Sequence, residues 1–166
     1  MNQKYSKKKE NTHDKEDTYE DTYEDTELNI AQLLKALDNE ENESLINLTS
    51  EKIMELNHSV LKELLLPKHI HLDYLKKLER YKYVDEIKDL HYGAYVRWIP
   101  IKDPKKMPLY TGGIICDIQV TDNGVNIKCK NFQNRFYQFK MDECLVFQKL
   151  TYQENILLTA LNHLSK

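Results

Sequence analysis

The feature that most limits how this chain can fold is the position of its helix breakers. All four glycines and three of the four prolines follow residue 92, which leaves Pro67 alone in the first half. Glycine and proline punctuate local structure more strongly than other residues. The chain therefore divides near residue 90 into a part that can run in helices and a part that must turn often.

Ahead of that boundary, residues 1–26 contain no Leu, Ile, Val or Phe. Nothing there offsets the entropy of ordering, so a disordered acidic tail is expected over 1–26. Within it Asp17-Thr18-Tyr19-Glu20 is repeated as Asp21-Thr22-Tyr23-Glu24. Thr18, Thr22 and the two tyrosines stand beside acids, where phosphorylation would add to a charge of the same sign. Lys7-Lys8-Lys9 is a short basic run of little specificity.

Residues 27–90 read as a helical region. Ile30, Leu33, Leu34 and Leu37 recur at helical spacing. Thr49 or Ser50 can cap a second helix, whose stripe is Ile53, Leu56, Val60 and Leu64. Pro67 ends it, because the residue before a proline is pushed out of the helical region. Leu72, Leu75 and Leu78 continue the pattern, with Val84, Ile87 and Leu90 in a further turn or two.

From residue 91 to 150 the period becomes two. Tyr95–Ile99 forms a first strand, followed by a long connection through Pro100, Pro104 and Pro108. Ile114, Cys116, Ile118 and Val120 alternate with Ile115, Asp117 and Gln119. Asn123-Gly124 supplies a hairpin turn, after which Val125, Ile127 and Cys129 alternate with Asn126, Lys128 and Lys130. Tyr137, Phe139 and Met141 form a fourth strand and Leu145–Phe147 a fifth. Gly112-Gly113 precedes a strand rather than a helix, so it is a bend or bulge and not a phosphate loop. Residues 151–166 are a helix, opened by a Thr151/Glu154 capping box and expected to pack back on the strands. The expected fold class is α+β: amphipathic helices, then a five-stranded antiparallel small barrel, then a C-terminal helix.

The order of strand, long Pro-containing loop, three strands with tight turns and short closing strand resembles the SH3-like small barrel of SH3, Tudor, chromo-barrel and KOW-type domains. The resemblance covers residues 93–150 and is one of element order. Peptide-binding SH3 domains use an acidic loop, whereas "IKDPKKMP" here is basic. Tudor domains use an aromatic cage, for which Tyr95, Trp98, Tyr110, Phe136 and Tyr137 are the available rings. Trp98, on an alternating strand, reads first as core. The chain as a whole also resembles uncharacterised proteins of large DNA viruses, which brings no activity with it.

Charge is unevenly placed. Residues 10–43 hold thirteen acids against Lys15 and Lys35, a net of −11, and residues 93–150 hold nine bases against five acids, a net of +4. A tail of one sign and a domain of the other can compete for ligands. Lys128, Lys130, Arg135 and Lys140 sit at outward parity or at a hairpin tip, near Phe132 and Phe136. Bases stack on such rings. With Arg97, Lys105, Lys106 and Tyr110 these residues make the candidate ligand-binding surface.

No nucleophile, base and orienting group stand in a recognisable arrangement, and there is no GxGxxG or GxxxxGK[ST]. His69 and His71 flank Ile70 at an expected helix start, where their rings diverge and no third ligand is close in sequence. We therefore expect no enzyme, no metal and no cofactor. Cys116, Cys129 and Cys144 lack a CxxC spacing and read as reduced thiols of an intracellular protein, Cys116 and Cys129 on a buried face. No apolar run of about 18 residues spans a membrane, and the N-terminus has no hydrophobic signal segment. The functional expectation is an adaptor that binds a protein partner through its helices and barrel. The alternatives are a nucleic-acid-associated factor using the barrel, and a structural or virion component. Cytoplasm or nucleus is the expected compartment, with a virion or viral factory if the viral resemblance holds.

Overall fold

A computed structural model describes residues 30–46 and 48–165. The tail expected over 1–26, its repeat and its lysine run lie outside the described residues. The elements run α1 (Ile30–Asp38), a 3₁₀ turn (Glu40–Leu45), α2 (Ser50–Lys62), α3 (Lys68–Lys77), β1 (Tyr81–Val84), a 3₁₀ turn (Ile87–Asp89), β2 (Tyr95–Pro100), β3 (Gly113–Thr121), β4 (Gly124–Lys130), β5 (Phe136–Lys140), a 3₁₀ turn (Met141–Glu143), β6 (Cys144–Lys149) and α4 (Tyr152–Leu164).

The fold mixes four helices with one antiparallel sheet of six strands, in the order β1-β6-β2-β3-β4-β5. The sheet is not the closed five-stranded barrel of the sequence expectation: β1 and β5 are its edges and no ladder joins them. It nevertheless curls. Trp98 of β2 stacks on Phe139 of β5 with centroids 4.3 Å apart, although β3 and β4 lie between those strands. An unclosed seam therefore runs between β5 and the β2–β6 end of the sheet.

The sixth strand, β1, falls where a helical turn was expected. Tyr81, Tyr83 and Val84 favour an extended backbone, and β1 finds an open edge of β6, with Tyr83 opposite Phe147. Its own outer edge is covered from α2. Asn57 donates from Nδ2 to the Tyr81 carbonyl at 2.8 Å and accepts from the Tyr83 N–H at 3.0 Å. One amide thus does what a seventh strand would do, which removes an exposed ladder edge. Asn57 also takes the inward place that the expected α2 stripe gave to Leu56, while Val60 and Leu64 of that stripe pack inward partly buried. Ile53, Asn57 and Leu61 are buried, while Leu56 and Met54 face outward.

Inside the curl, Val96, Trp98, Ile115, Ile127, Cys129, Phe139 and Val146 form one apolar cluster. Ile118 packs against it only partly buried. The parity of β3 differs from expectation. Cys116 has no partner on β4, because Ile115 pairs with Cys129 and Asp117 with Lys128. This one-residue bulge turns Ile115 inward and leaves Ile114 and Cys116 outside. On the sheet's other face, Ile99 and Phe147 meet Leu61 and Leu78, all four fully buried.

The two glycine signals sharpen. Gly112 has φ +95°, and a Cβ there would lie 2.1 Å from the Val96 carbonyl oxygen, so only glycine lets the chain enter β3 beside β2. The β3–β4 turn centres on Asp122 and Asn123, because Thr121 pairs with Gly124. Gly124, at φ +111°, takes the bulge position that follows such a turn.

The C-terminal capping box forms as read. Thr151 Oγ1 accepts from the Glu154 N–H at 3.1 Å, and Glu154 Oε1 accepts from the Thr151 N–H at 3.2 Å. The other oxygen of Glu154 accepts from Lys82 Nζ at 2.8 Å in a buried ion pair, which ties α4 to β1. Helix α4 packs chiefly on α1 and the 40–45 turn. Leu158 joins Leu45, Ile53 and Leu150 in a third apolar cluster.

Candidate functional site at the open seam of the sheet

The unclosed seam leaves a pocket of about 280 Å³. Its floor is Trp98, buried by its inward parity on β2 and stacked against two rings. Tyr110 stacks on it at 5.3 Å and Phe139 at 4.3 Å, each within 16° of parallel. Tyr137, next but one to Phe139 on the edge strand, leans over at 6.4 Å and an interplanar angle of 57°. Tyr110 and Tyr137 remain partly open to solvent.

Tyr110 belongs to the long β2–β3 connection, yet it is held firmly. Its N–H donates to the Trp98 carbonyl at 3.0 Å, and its own carbonyl accepts from Arg97 Nε at 3.0 Å. The same connection is tied to α3. The Tyr74 hydroxyl donates to the Met107 carbonyl at 2.9 Å and accepts from the Leu109 N–H at 3.1 Å. The rim carries charge. Glu143 Oε1 accepts from Lys102 Nζ at 2.9 Å and stands 3.9 Å from Lys140 Nζ. Two ammonium groups share one carboxylate oxygen, so the rim is positive on balance.

The ten residues of the candidate surface do not form one site. Tyr110 and Lys140 line the pocket, and Arg97 supports it from behind. Lys128, Lys130 and Phe136 make a separate group on the outside of β4 and β5. The two ammonium groups sit 4.9 and 5.9 Å from the Phe136 centroid. Cross-strand pairing of Lys130 with Phe136 puts them together. Phe132 stacks on Tyr95 at 5.8 Å, and Arg135 is exposed on the same hairpin. Lys105 and Lys106 stand exposed in the β2–β3 connection and belong to neither the pocket lining nor the Phe136 group. Sequence reasoning placed Trp98 and Tyr137 among available rings but did not join them to Lys102 and Glu143. Their inward parity was the one usable signal.

Among the described residues no group of three or more His, Cys, Asp or Glu is placed to hold a metal ion. His71 does not pair with His69. Its Nε2 lies 2.8 Å from Nδ1 of His58 across the α2–α3 junction, and burial followed by the neighbouring ring lowers its pKa below the usual 6.5. Burial pushes the Cys129 thiol up to about 12 and Cys144 to about 11. Cys116 is exposed at its bulge, against the buried position expected for it. Among the described residues no helix is long and apolar enough to cross a membrane. Comparison with family models, curated proteins and solved structures finds no match.

Proposed function

We propose that this chain is a non-enzymatic interaction protein whose helical layer docks a protein partner. The observation that carries the reading is the outward stripe of α1. Ile30, Leu34 and Leu37 are exposed by 69%, 56% and 49%, although α1 is anchored on α4 and buries Ala36 completely. Asp38, Glu40, Glu41 and Glu43 follow at its C-terminal end. An apolar stripe beside four carboxylates fits an amphipathic helix with basic flanks. The same carboxylates would repel a second copy of this chain. Calorimetry of the full chain with a synthetic Leu/Lys amphipathic helix tests the reading. Micromolar binding that disappears in Leu34→Asp and Leu37→Asp, with the fold intact by circular dichroism, supports it. Absence of heat, or heat indifferent to both substitutions, removes it.

A second reading, that of a nucleic-acid-associated factor, is favoured by Lys128 and Lys130 over the exposed Phe136 ring. Aromatic faces interleaved with cations form a platform for unpaired bases. The order β6-β2-β3-β4-β5 and the Trp98–Phe139 contact across the seam support reading residues 91–150 as an SH3-like small barrel that β1 extends at one edge.

A further inference from the structure

We propose that the seam pocket is a base-stacking subsite for single-stranded nucleic acid. It would take one unpaired base against Tyr110 and Tyr137, and the adjoining phosphate at Lys102 and Lys140. The inference rests on the second reading above and gives it a location.

Three properties of the pocket select this ligand. The first is shape: at about 280 Å³ it stands at the small end of ligand pockets, room for one planar ring system and little more. The second is which ring faces are available. Trp98 is buried and already stacked on both Tyr110 and Phe139, so it serves as a fixed floor rather than as a free stacking face. Tyr110 has only one face on Trp98, and Tyr137 leans away at 57°. A flat partner can lie on these two rings. The third is charge. A cation entering the pocket would meet two ammonium groups and find Glu143 already engaged by Lys102 at 2.9 Å. An anion gains from both lysines, which give up only solvated surface pairs with Glu143, the Lys140 one already long at 3.9 Å, and such pairs are worth little.

The pocket is also preorganised. Tyr110 is fixed through its backbone by Trp98 and Arg97, and Tyr74 fixes the loop behind it. Little ordering is left for the ligand to impose. On the far side of β5, Lys128, Lys130 and Phe136 give the strand a second contact when it crosses the edge.

Trp98 is the chain's only tryptophan, so its emission reports the pocket directly. The full chain is titrated with labelled oligo(dT) and oligo(rU) across a salt series, following anisotropy and tryptophan emission together. Both signals are expected to saturate at one ligand concentration. Tyr110→Ala and Tyr137→Ala should each weaken binding about 5- to 150-fold, the range of one base–ring stack. Tyr137→Phe should keep it, and circular dichroism shows whether each variant is folded. Lys102→Ala should lower the salt slope by about one.

Three results overturn the proposal and separate it from the broader reading. If oligonucleotide binds with unchanged tryptophan emission and responds only to Lys128→Ala and Lys130→Ala, the pocket is not the subsite and the nucleic-acid reading survives. If an abasic strand of equal length binds as tightly, charge alone acts and stacking is excluded. If no strand binds at low salt, both fail, even should a synthetic peptide of residues 17–27, acidic and rich in tyrosine, quench Trp98.

Discussion

The inside of the curled sheet is held by apolar packing alone, whereas the junction between sheet and helices adds directional polar ties to its apolar contacts. The sheet interior is a single apolar cluster running from Val84 to Val146, with no buried polar side chain among its members. Among the described residues the five buried polar ones, Asn42, Asn57, Lys82, Gln148 and Glu154, all lie elsewhere. Asn42 and Glu154 join helices to their surroundings, and Asn57 and Lys82 join them to β1. Gln148 holds the β1–β2 connection by accepting from the His91 N–H and donating to the Asp89 carbonyl, each at 2.9 Å. Apolar packing is non-directional and tolerates exchange, whereas each polar tie needs one partner in one place. The sheet interior is therefore specified by pattern, while the helices are seated by the apolar contact of Leu61 and Leu78 with Ile99 and Phe147 together with individual polar pairs.

The sharpest test breaks the Lys82–Glu154 pair from one side. Lys82→Ala strands Glu154 in a site where its side chain is 2% exposed, and a loss of about 3–5 kcal/mol is expected in denaturant melts. Replacing both partners, as Lys82→Met with Glu154→Leu, should recover most of that loss while costing the capping box about 1 kcal/mol. A double variant as unstable as the single one would show that the ion pair does more than satisfy itself.

That division also explains what could be read from the sequence. Strands β2, β4 and β5 were legible from residues recurring every second position, and β6 from the short apolar run Leu145–Phe147. The capping box of α4 was legible because its two members stand at fixed spacing. β1 was not, since Tyr81–Val84 is short and continues a leucine-rich helical run. The α2 stripe was wrong at Leu56 because apolar counting cannot give weight to a buried Asn57, while Ile53, Val60 and Leu64 pack inward. The seam pocket was only partly visible. Its rings come from β2, from the connection after it and from β5, and their meeting depends on how far the sheet curls.

The next largest effect separates the two kinds of β3 neighbour. Ile127 is fully buried opposite Ile118, so Ile127→Ala should cost about 2–5 kcal/mol. Cys116 lies outside at the bulge, and Cys116→Ala should stay within about 0.5 kcal/mol. The expected parity, without the bulge, would have made both substitutions costly. A thiol reagent gives a second reading: Cys116 should react in the native protein, while Cys129, buried and pushed up to about 12, should react only on unfolding.

The smallest expected effect is one of pH, and it should fall on one side of the comparison only. His58 and His71 meet at 2.8 Å with rings at right angles, closing the α2–α3 junction. One nitrogen must donate and the other accept, so the contact needs at least one neutral ring. Burial first, and then His58, hold the His71 pKa below its ordinary 6.5. A lowered histidine pKa means that the unfolded chain binds the proton more readily, so stability rises with pH through that window. The contribution is complete above 6.5 and is lost as pH falls through the folded value. Because the pair is largely exposed, the shift in melting temperature should be small, and His71→Gln should flatten it. The sheet interior holds no group that titrates there, so Trp98 emission should stay constant over the range in which helical ellipticity begins to change. Emission that moved together with ellipticity would mean that the helices and the sheet loosen as one unit, and the contrast between them would then be one of chemistry without independence.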